Sequence, residues 1–138
     1  MKNSEIKTLI AKVEEFLENE SSGHDIYHAQ RVMKLAKYIQ KKEGGDLEVI
    51  TISALVHDIY RPWEKKTGKS HFGPEAMGMM REFLAPLVTD SETIKKVIKV
   101  VSLHDIYDWT NKQEKSIELQ VIQDADNLDA IGAIGIAR

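Results

Sequence analysis

Residues 47–59 are the segment that most limits how this chain can fold. Their sequence, LEVITISALVHDI, is apolar on almost every side of a helix. A helix of this kind is usually buried at the centre of a helical protein. Its β-branched residues also suit a strand, but a length of about 13 residues favours a helix. The sequence therefore predicts a buried central helix that carries His57 and Asp58 at its carboxyl end.

Helical periodicity and helix-capping signals continue on both sides of this segment. A first helix is predicted before residue 19. Later helices are predicted from near His24 or Asp25 to Glu43, from Pro74 to Leu84, from Asp90 or Ser91 onwards, and from Ile117. Residues 61–73 and 108–113 are predicted as loops, with Arg61-Pro62 ending the central helix. We expect an all-α fold: one domain, residues 1–138, forming a compact bundle of about six to seven helices.

Composition excludes several classes of function. The chain has 138 residues and no cysteine, which rules out disulfides, thiolate metal sites and cysteine nucleophiles. Nineteen basic residues against 22 acidic ones give a net charge of −3, so no nucleic-acid polymer is expected as a partner. No signal sequence or membrane-length apolar segment is visible, which predicts a soluble cytoplasmic protein. The apolar run before Arg138 suggests that the natural chain continues further.

Histidine and aspartate residues recur along the chain in a pattern that suits metal binding. An ionisable pair such as His57-Asp58 at the end of an apolar helix is costly unless it is paired or bound to metal. Neighbouring helical residues point about 100° apart, so both could reach one ion beyond the helix end. His28 and Asp124, on two further helices, would complete two imidazoles and two carboxylates, a ligand set for divalent first-row metals.

Each of these residues also has an ordinary explanation when it is taken alone. Only the joint pattern favours a metal site. The ordinary readings are His24 as a helix cap, His28 as a core histidine, His71 as a surface histidine, His104 as a partner of a helix dipole, and Asp126 and Asp129 as helix-surface charges.

The order of His28, then His57-Asp58, then Asp124 resembles the HD-domain superfamily of metal-dependent phosphohydrolases. The flanking stretches HAQRVMKLA, ALVHDI and DADNLDAIGAIGIAR strengthen the resemblance, which spans roughly residues 24–138. It implies that these four residues bind a divalent cation, whether manganese, iron, cobalt, nickel, zinc or magnesium. It also implies that His71 and His104 hold a second metal or contact phosphate.

The sequence departs from the family at one position close to the motif. Some members carry a catalytic Glu three residues after the motif Asp, whereas this chain has Arg61, which favours a phosphate-contacting role for that residue. Further candidates are Arg31, Lys65, Lys66 and Lys69 as phosphate contacts, His104 or Asp105 as the group that orients water or protonates the leaving group, and Trp63 and Trp109 as base-stacking or packing residues.

The leading hypothesis is a phosphohydrolase that cleaves a phosphoester or phosphoanhydride of a nucleotide or related small phosphate with metal-activated water. Asp58, Arg61 and His104 are its candidate catalytic residues. The first alternative is a non-catalytic ligand-sensing or regulatory module that keeps the metal, and the second is a plain helical interaction domain. The enzymatic hypothesis, as drawn from the sequence, requires Asp124 to lie within coordination reach of His28 and of the pair at 57–58.

Overall fold

The computed structural model describes residues 2–18, 26–106 and 115–137, with side chains as far as residue 132. Within these residues there are seven helices and no strand, which confirms the predicted all-α fold. The helices are α1 (Asn3–Leu17), α2 (Ile26–Glu43), α3 (Leu47–Val56), α4 (Arg61–Thr67), α5 (Pro74–Leu84), α6 (Ser91–Leu103) and α7 (Ile117–Ala137). None of the described helices is long and apolar enough to cross a membrane.

Helix α3 is the buried centre of the bundle, as its composition predicts. Helices α1, α2, α6 and α7 all contact it, and every residue from position 49 to 56 is buried. The Asp46 side chain accepts hydrogen bonds from the backbone N–H groups of Glu48 and Val49 and so caps the helix. Regular helix ends at Val56, and a turn over residues 57–60 follows. His57 and Asp58 therefore stand at the buried carboxyl end of α3.

Helix α4 corrects the prediction that residues 61–73 are loop throughout. Pro62 lies in its first turn, where the missing backbone N–H has no helical partner to lose. Proline thus begins a new helix directly after the turn that ends α3. Gly68, with φ of +75°, ends α4, and its N–H donates to the Glu64 carbonyl.

Gly45 lets the start of α7 approach the connection between α2 and α3. Its φ of +102° lies in the left-handed region. A Cβ atom here would lie 3.0 Å from Glu118 Oε2 and 3.1 Å from Ile50 Cδ1. A side chain at this position would therefore strain the backbone and require the side chains of Glu118 and Ile50 to shift.

The remaining helices follow the predicted boundaries where the structure describes them. Helix α5 spans Pro74–Leu84, and Asp90 caps α6 by accepting from the Glu92 N–H at 2.9 Å. The predicted loop at 108–113 lies outside the described residues, as do His24, Asp25 and Trp109.

Candidate metal centre

Three helices bring four ionisable side chains together at one end of α3. His28 lies on α2, His57 and Asp58 lie in the turn after α3, and Asp126 lies on α7. The Nε2 atoms of His28 and His57 are 3.3 Å apart, and Asp58 Oδ2 lies 3.3 Å from each of them. Both histidines and Asp58 are buried. The predicted convergence of His28 with the pair at 57–58 is therefore present in the fold.

The α7 carboxylate in this cluster belongs to Asp126. Its Oδ1 lies 3.3 Å from His28 Nε2 and 3.5 Å from His57 Nε2. Asp124 is exposed and lines a surface cavity of about 410 Å³, together with Ile39. Two residues along a helix turn the side-chain direction by about 200°. The prediction that Asp124 reaches the histidines is therefore wrong, and Asp126 takes the place expected for it.

Hydrogen bonds donated by the Nδ1 atoms orient both imidazoles so that Nε2 faces the cluster. His57 Nδ1 donates to the Ala54 carbonyl at 2.7 Å, and His28 Nδ1 donates to Asp129 Oδ2 at 2.8 Å. A carbonyl or carboxylate on the second ring nitrogen is the usual arrangement for metal-binding histidines, because it fixes the tautomer. Both rings thus turn Nε2 toward the same point, where it can bind a metal once it has lost its proton.

The donor set and its spacing fit a divalent cation. Ligands about 2.1 Å from one ion lie about 3.0–3.4 Å apart at ordinary coordination angles. The measured separations of 3.3–3.5 Å are close to that range. Two imidazole lone pairs and two carboxylates facing one another need a proton or a cation between them. We call His28, His57, Asp58 Oδ2 and Asp126 the first ligand group.

In the absence of metal, the first ligand group retains protons. Burial lowers the pKa of His28, but the carboxylates of Asp126 and Asp58 outweigh it and raise the pKa to about 9. The pKa of His57 is raised as well, since Asp58 and Asp126 outweigh its burial. The pKa of Asp126 is lowered by the two histidines despite burial. A metal ion must therefore displace protons to bind.

We expect the metal-free protein to become less stable as the pH rises from about 6.5 to about 9. His28 has a raised folded-state pKa, so its contribution is complete below the unfolded value of 6.5 and is lost as the pH passes about 9. Saturating divalent metal should reverse the trend, because it binds the neutral imidazoles. Urea unfolding with chelator or with metal across this range measures both. A metal-free free energy of unfolding that rises with pH would contradict the assignment.

A second ligand group lies on the other side of Asp58. It consists of Asp58, His71 and His104, which each offer one ligand atom within 4.8 Å of the others, and His104 Nε2 lies 3.7 Å from Asp58 Oδ1. His104 Nδ1 donates to the Val101 carbonyl at 2.6 Å, which directs its Nε2 inward. The Nε2 atoms of His71 and His104 are buried, and the carboxylate oxygens of Asp105 lie 2.9 Å and 3.4 Å from them. The fold thus brings these two histidines together, and both lie beside Asp58.

Arg61 reaches into the second ligand group from the first turn of α4. Its Nε donates to Asp58 Oδ1 at 2.9 Å, and its Nη2 donates to Asp105 Oδ2 at 3.1 Å. Asp105 Oδ2 is also 2.9 Å from His71 Nε2. Burial raises the pKa of Asp105, but His71, His104 and Arg61 outweigh it and lower the pKa. The predicted site residue Arg61 is thus part of the cluster.

Sequence reasoning missed two carboxylates that hold histidines in place. Asp129 is buried rather than a surface charge, and Arg31 Nε donates to its Oδ1 at 2.8 Å. Glu64 Oε2 contacts His71 Nδ1 and also accepts from the His71 backbone N–H. Asp129 had a usable signal, because it follows Asp126 by three residues and therefore shares its helix face. Glu64 had none, since its segment was predicted as loop.

The other predicted phosphate contacts and Trp63 lie elsewhere. Lys69 pairs with Glu75 at 2.8 Å on the surface. Lys65 and Lys66 are exposed. Trp63 packs against the hydrophobic core, which agrees with the packing alternative for this residue.

Replacing Asp129 with alanine is expected to weaken divalent-metal binding about 10- to 100-fold. The change removes the acceptor that orients His28, although Asp129 touches no ion itself. Asp129→Asn keeps an acceptor oxygen and should restore part of the affinity. Calorimetric titration of chelator-treated protein measures both variants. Wild-type affinity in Asp129→Ala would show that the His28 orientation does not depend on this carboxylate.

Comparison with known proteins places this arrangement in a family. A family model described as HD domain matches residues 25–131. The uncharacterized protein YpgQ of Bacillus subtilis (strain 168) is 38% identical over 128 residues, which cover 91% of this chain and 60% of YpgQ. This chain thus spans about three fifths of that relative's length.

Solved structures share the fold at similar levels of identity. A predicted HD superfamily hydrolase from an uncultured Thermotogales bacterium aligns with a TM-score of 0.78 at 32% identity, covering 100% of this chain and 79% of that one. Bacillus subtilis YpgQ in complex with ADP aligns with a TM-score of 0.73 at 33% identity, covering 98% and 63%. The family match includes every residue of both ligand groups. The chain therefore belongs to the HD-domain superfamily.

Proposed function

We propose that this protein is a metal-dependent phosphohydrolase that cleaves a phosphoester or phosphoanhydride of a nucleotide or related small phosphate. The observation that carries the proposal is the convergence of His28, His57, Asp58 and Asp126 at 3.3–3.5 Å within a helical bundle. Membership of the HD superfamily and the hydrolase description of the Thermotogales neighbour support a metal-dependent hydrolase.

The first ligand group holds the cation in this proposal. A bound divalent ion lowers the pKa of water from 15.7 toward about 7 and polarises a phosphoryl oxygen. Imidazole and carboxylate ligands suit manganese, iron, cobalt, nickel and zinc, and magnesium is a further candidate. Asp129 and the Ala54 carbonyl keep the two imidazoles in the ligating tautomer.

The residues around Asp58 bind and orient the phosphate. Arg61 presents a guanidinium beside Asp58, where its positive charge attracts phosphate oxygens. His104 Nε2 lies 3.7 Å from Asp58 Oδ1, and in this proposal the neutral ring accepts a hydrogen bond from water or the protonated ring passes its Nε2 proton to the leaving oxygen. Asp105 holds Arg61 from the far side and has a positioning role.

A nucleotide is the favoured substrate because the YpgQ structure contains ADP. A diphosphate group carries several anionic oxygens, which match a divalent ion flanked by an arginine. The nucleoside part has no assigned contact, because Trp109 lies outside the described residues and Trp63 packs on the core.

The function is tested by turnover of a panel of nucleoside mono-, di- and triphosphates with each candidate metal. Product analysis separates release of phosphate from release of pyrophosphate. We expect hydrolysis that requires metal, is abolished by chelator and is lost in His57→Ala. Metal binding and a ligand-induced thermal shift without turnover of any member of the panel would instead favour a ligand-sensing module. The presence of Arg61 where some members carry a catalytic Glu is the observation behind that alternative.

A further inference from the structure

We propose that Arg61 takes the place of a second metal ion, so that the centre binds one divalent cation per chain. The guanidinium supplies the fixed positive charge on the side of Asp58 that faces His71 and His104. This inference rests on the proposed function, because it assumes that the first ligand group holds a cation.

Arg61 already donates a hydrogen bond to the Asp58 oxygen that a second ion would need as a ligand. Asp58 presents Oδ2 to the first ligand group, at 3.3 Å from both histidine Nε2 atoms. Its Oδ1 lies 3.7 Å from His104 Nε2 in the second group, and Arg61 Nε donates to it at 2.9 Å. An ion bound to Oδ1 together with His71 and His104 would lie close to the guanidinium and be repelled by it.

The guanidinium is held at both ends, so it cannot easily move aside. Nη2 donates to Asp105 Oδ2 at 3.1 Å, while Nε is engaged by Asp58. Asp105 Oδ2 is itself 2.9 Å from His71 Nε2. A planar guanidinium with several donors suits this bridging of two carboxylates, which a single ammonium group could not reproduce with the same geometry. Arg61 thus spans the approach to the second ligand group.

The charges of the side chains around the centre also favour one divalent ion over two. The carboxylates of Asp58, Asp105 and Asp126 lie beside histidine Nε2 atoms, and one divalent ion together with Arg61 balances their charge. Asp129 and Glu64 contact histidine Nδ1 atoms instead, and Asp129 is paired with Arg31. A second divalent ion would leave excess positive charge in a largely buried site, which is unfavourable.

Removing the guanidinium should therefore convert the second ligand group into a metal site. His71 and His104 already present buried Nε2 atoms beside carboxylate oxygens of Asp105 and Asp58, at 2.9 Å and 3.7 Å, which is a donor set that a divalent ion can bind. In Arg61→Gln the positive charge is gone, and Asp58 Oδ1 loses the hydrogen bond that Arg61 Nε donates to it.

The test is the number of manganese ions bound per chain. Chelator-treated protein is dialysed to equilibrium against a range of Mn²⁺ concentrations, and bound metal is measured by elemental analysis and electron paramagnetic resonance. We expect wild type to saturate at one ion with an isolated-ion spectrum. Arg61→Gln is expected to saturate at two ions, a twofold increase, with the spectrum of a coupled pair. The double variant Arg61→Gln/His104→Ala should return to one.

The possible metal-to-protein ratios separate the role of Arg61 from the proposed function. Two ions in wild type, or one ion in a folded Arg61→Gln variant, would overturn the role of Arg61 while leaving the proposed function intact. No ion in wild type would remove the proposed function and this inference with it. If circular dichroism shows that Arg61→Gln does not fold, the wild-type plateau decides: one ion supports the inference and two overturn it.

Discussion

Replacing Asp126 with asparagine is expected to abolish divalent-metal binding and to lower kcat/KM about a thousandfold. The substitution keeps the shape of the side chain but removes the charge that faces His28 and His57. A catalytic metal contributes several kcal/mol to the transition state, and each factor of ten in rate corresponds to about 1.36 kcal/mol. Calorimetric metal titration and turnover of the best nucleotide substrate measure the two effects.

Asp124→Asn is the matched control for this variant. It makes the same chemical change two residues away, on the exposed side of α7. We expect its metal affinity and its kcat/KM to equal those of the wild type. A loss in Asp124→Asn with wild-type behaviour in Asp126→Asn would reverse the assignment of the α7 ligand.

Replacing Leu55 with alanine is expected to lower the free energy of unfolding by about 2–5 kcal/mol. Leu55 is 1% exposed in α3, at the centre of the bundle, so its removal leaves a cavity as well as losing apolar contacts. Urea unfolding with chelator present measures the effect without the added stabilisation of bound metal.

Leu128→Ala provides the control for the loss of a leucine side chain. Leu128 is 49% exposed on α7, so its truncation should change the free energy of unfolding by about 0.5 kcal/mol or less. Equal destabilisation by the two variants would contradict the central, buried position of α3.

Much of the fold follows directly from local sequence signals. The uniform apolarity of α3 predicts its burial, and Asp46 and Asp90 are at the caps that their positions indicate. Helix α4 was not predicted because Arg61-Pro62 is compatible with two structures. A proline there can end the preceding helix, and it can also lie in the first turn of a new one. Only the turn at residues 57–60, which separates α3 from α4, decides between them.

The converging side chains were predicted on helices that offer one candidate ligand or pair, and the wrong carboxylate was predicted on α7, which offers several. His28 is the ligand predicted on α2, and His57-Asp58 is the ionisable pair at the end of the apolar central helix. On α7, by contrast, Asp124, Asp126 and Asp129 compete, and apolar residues lie on both sides of the helix. The exposure of Leu128 shows that apolar character does not mark the buried face there. Only packing of α7 against α2 and α3 shows which carboxylate faces the histidines.

Anomalous diffraction from a manganese-soaked crystal tests the central claim most directly. The account predicts a strong anomalous peak coordinated by Nε2 of His28, Nε2 of His57, Asp58 and Asp126. Absence of a peak at saturating manganese, or a peak beside Asp124 in place of this cluster, would contradict it.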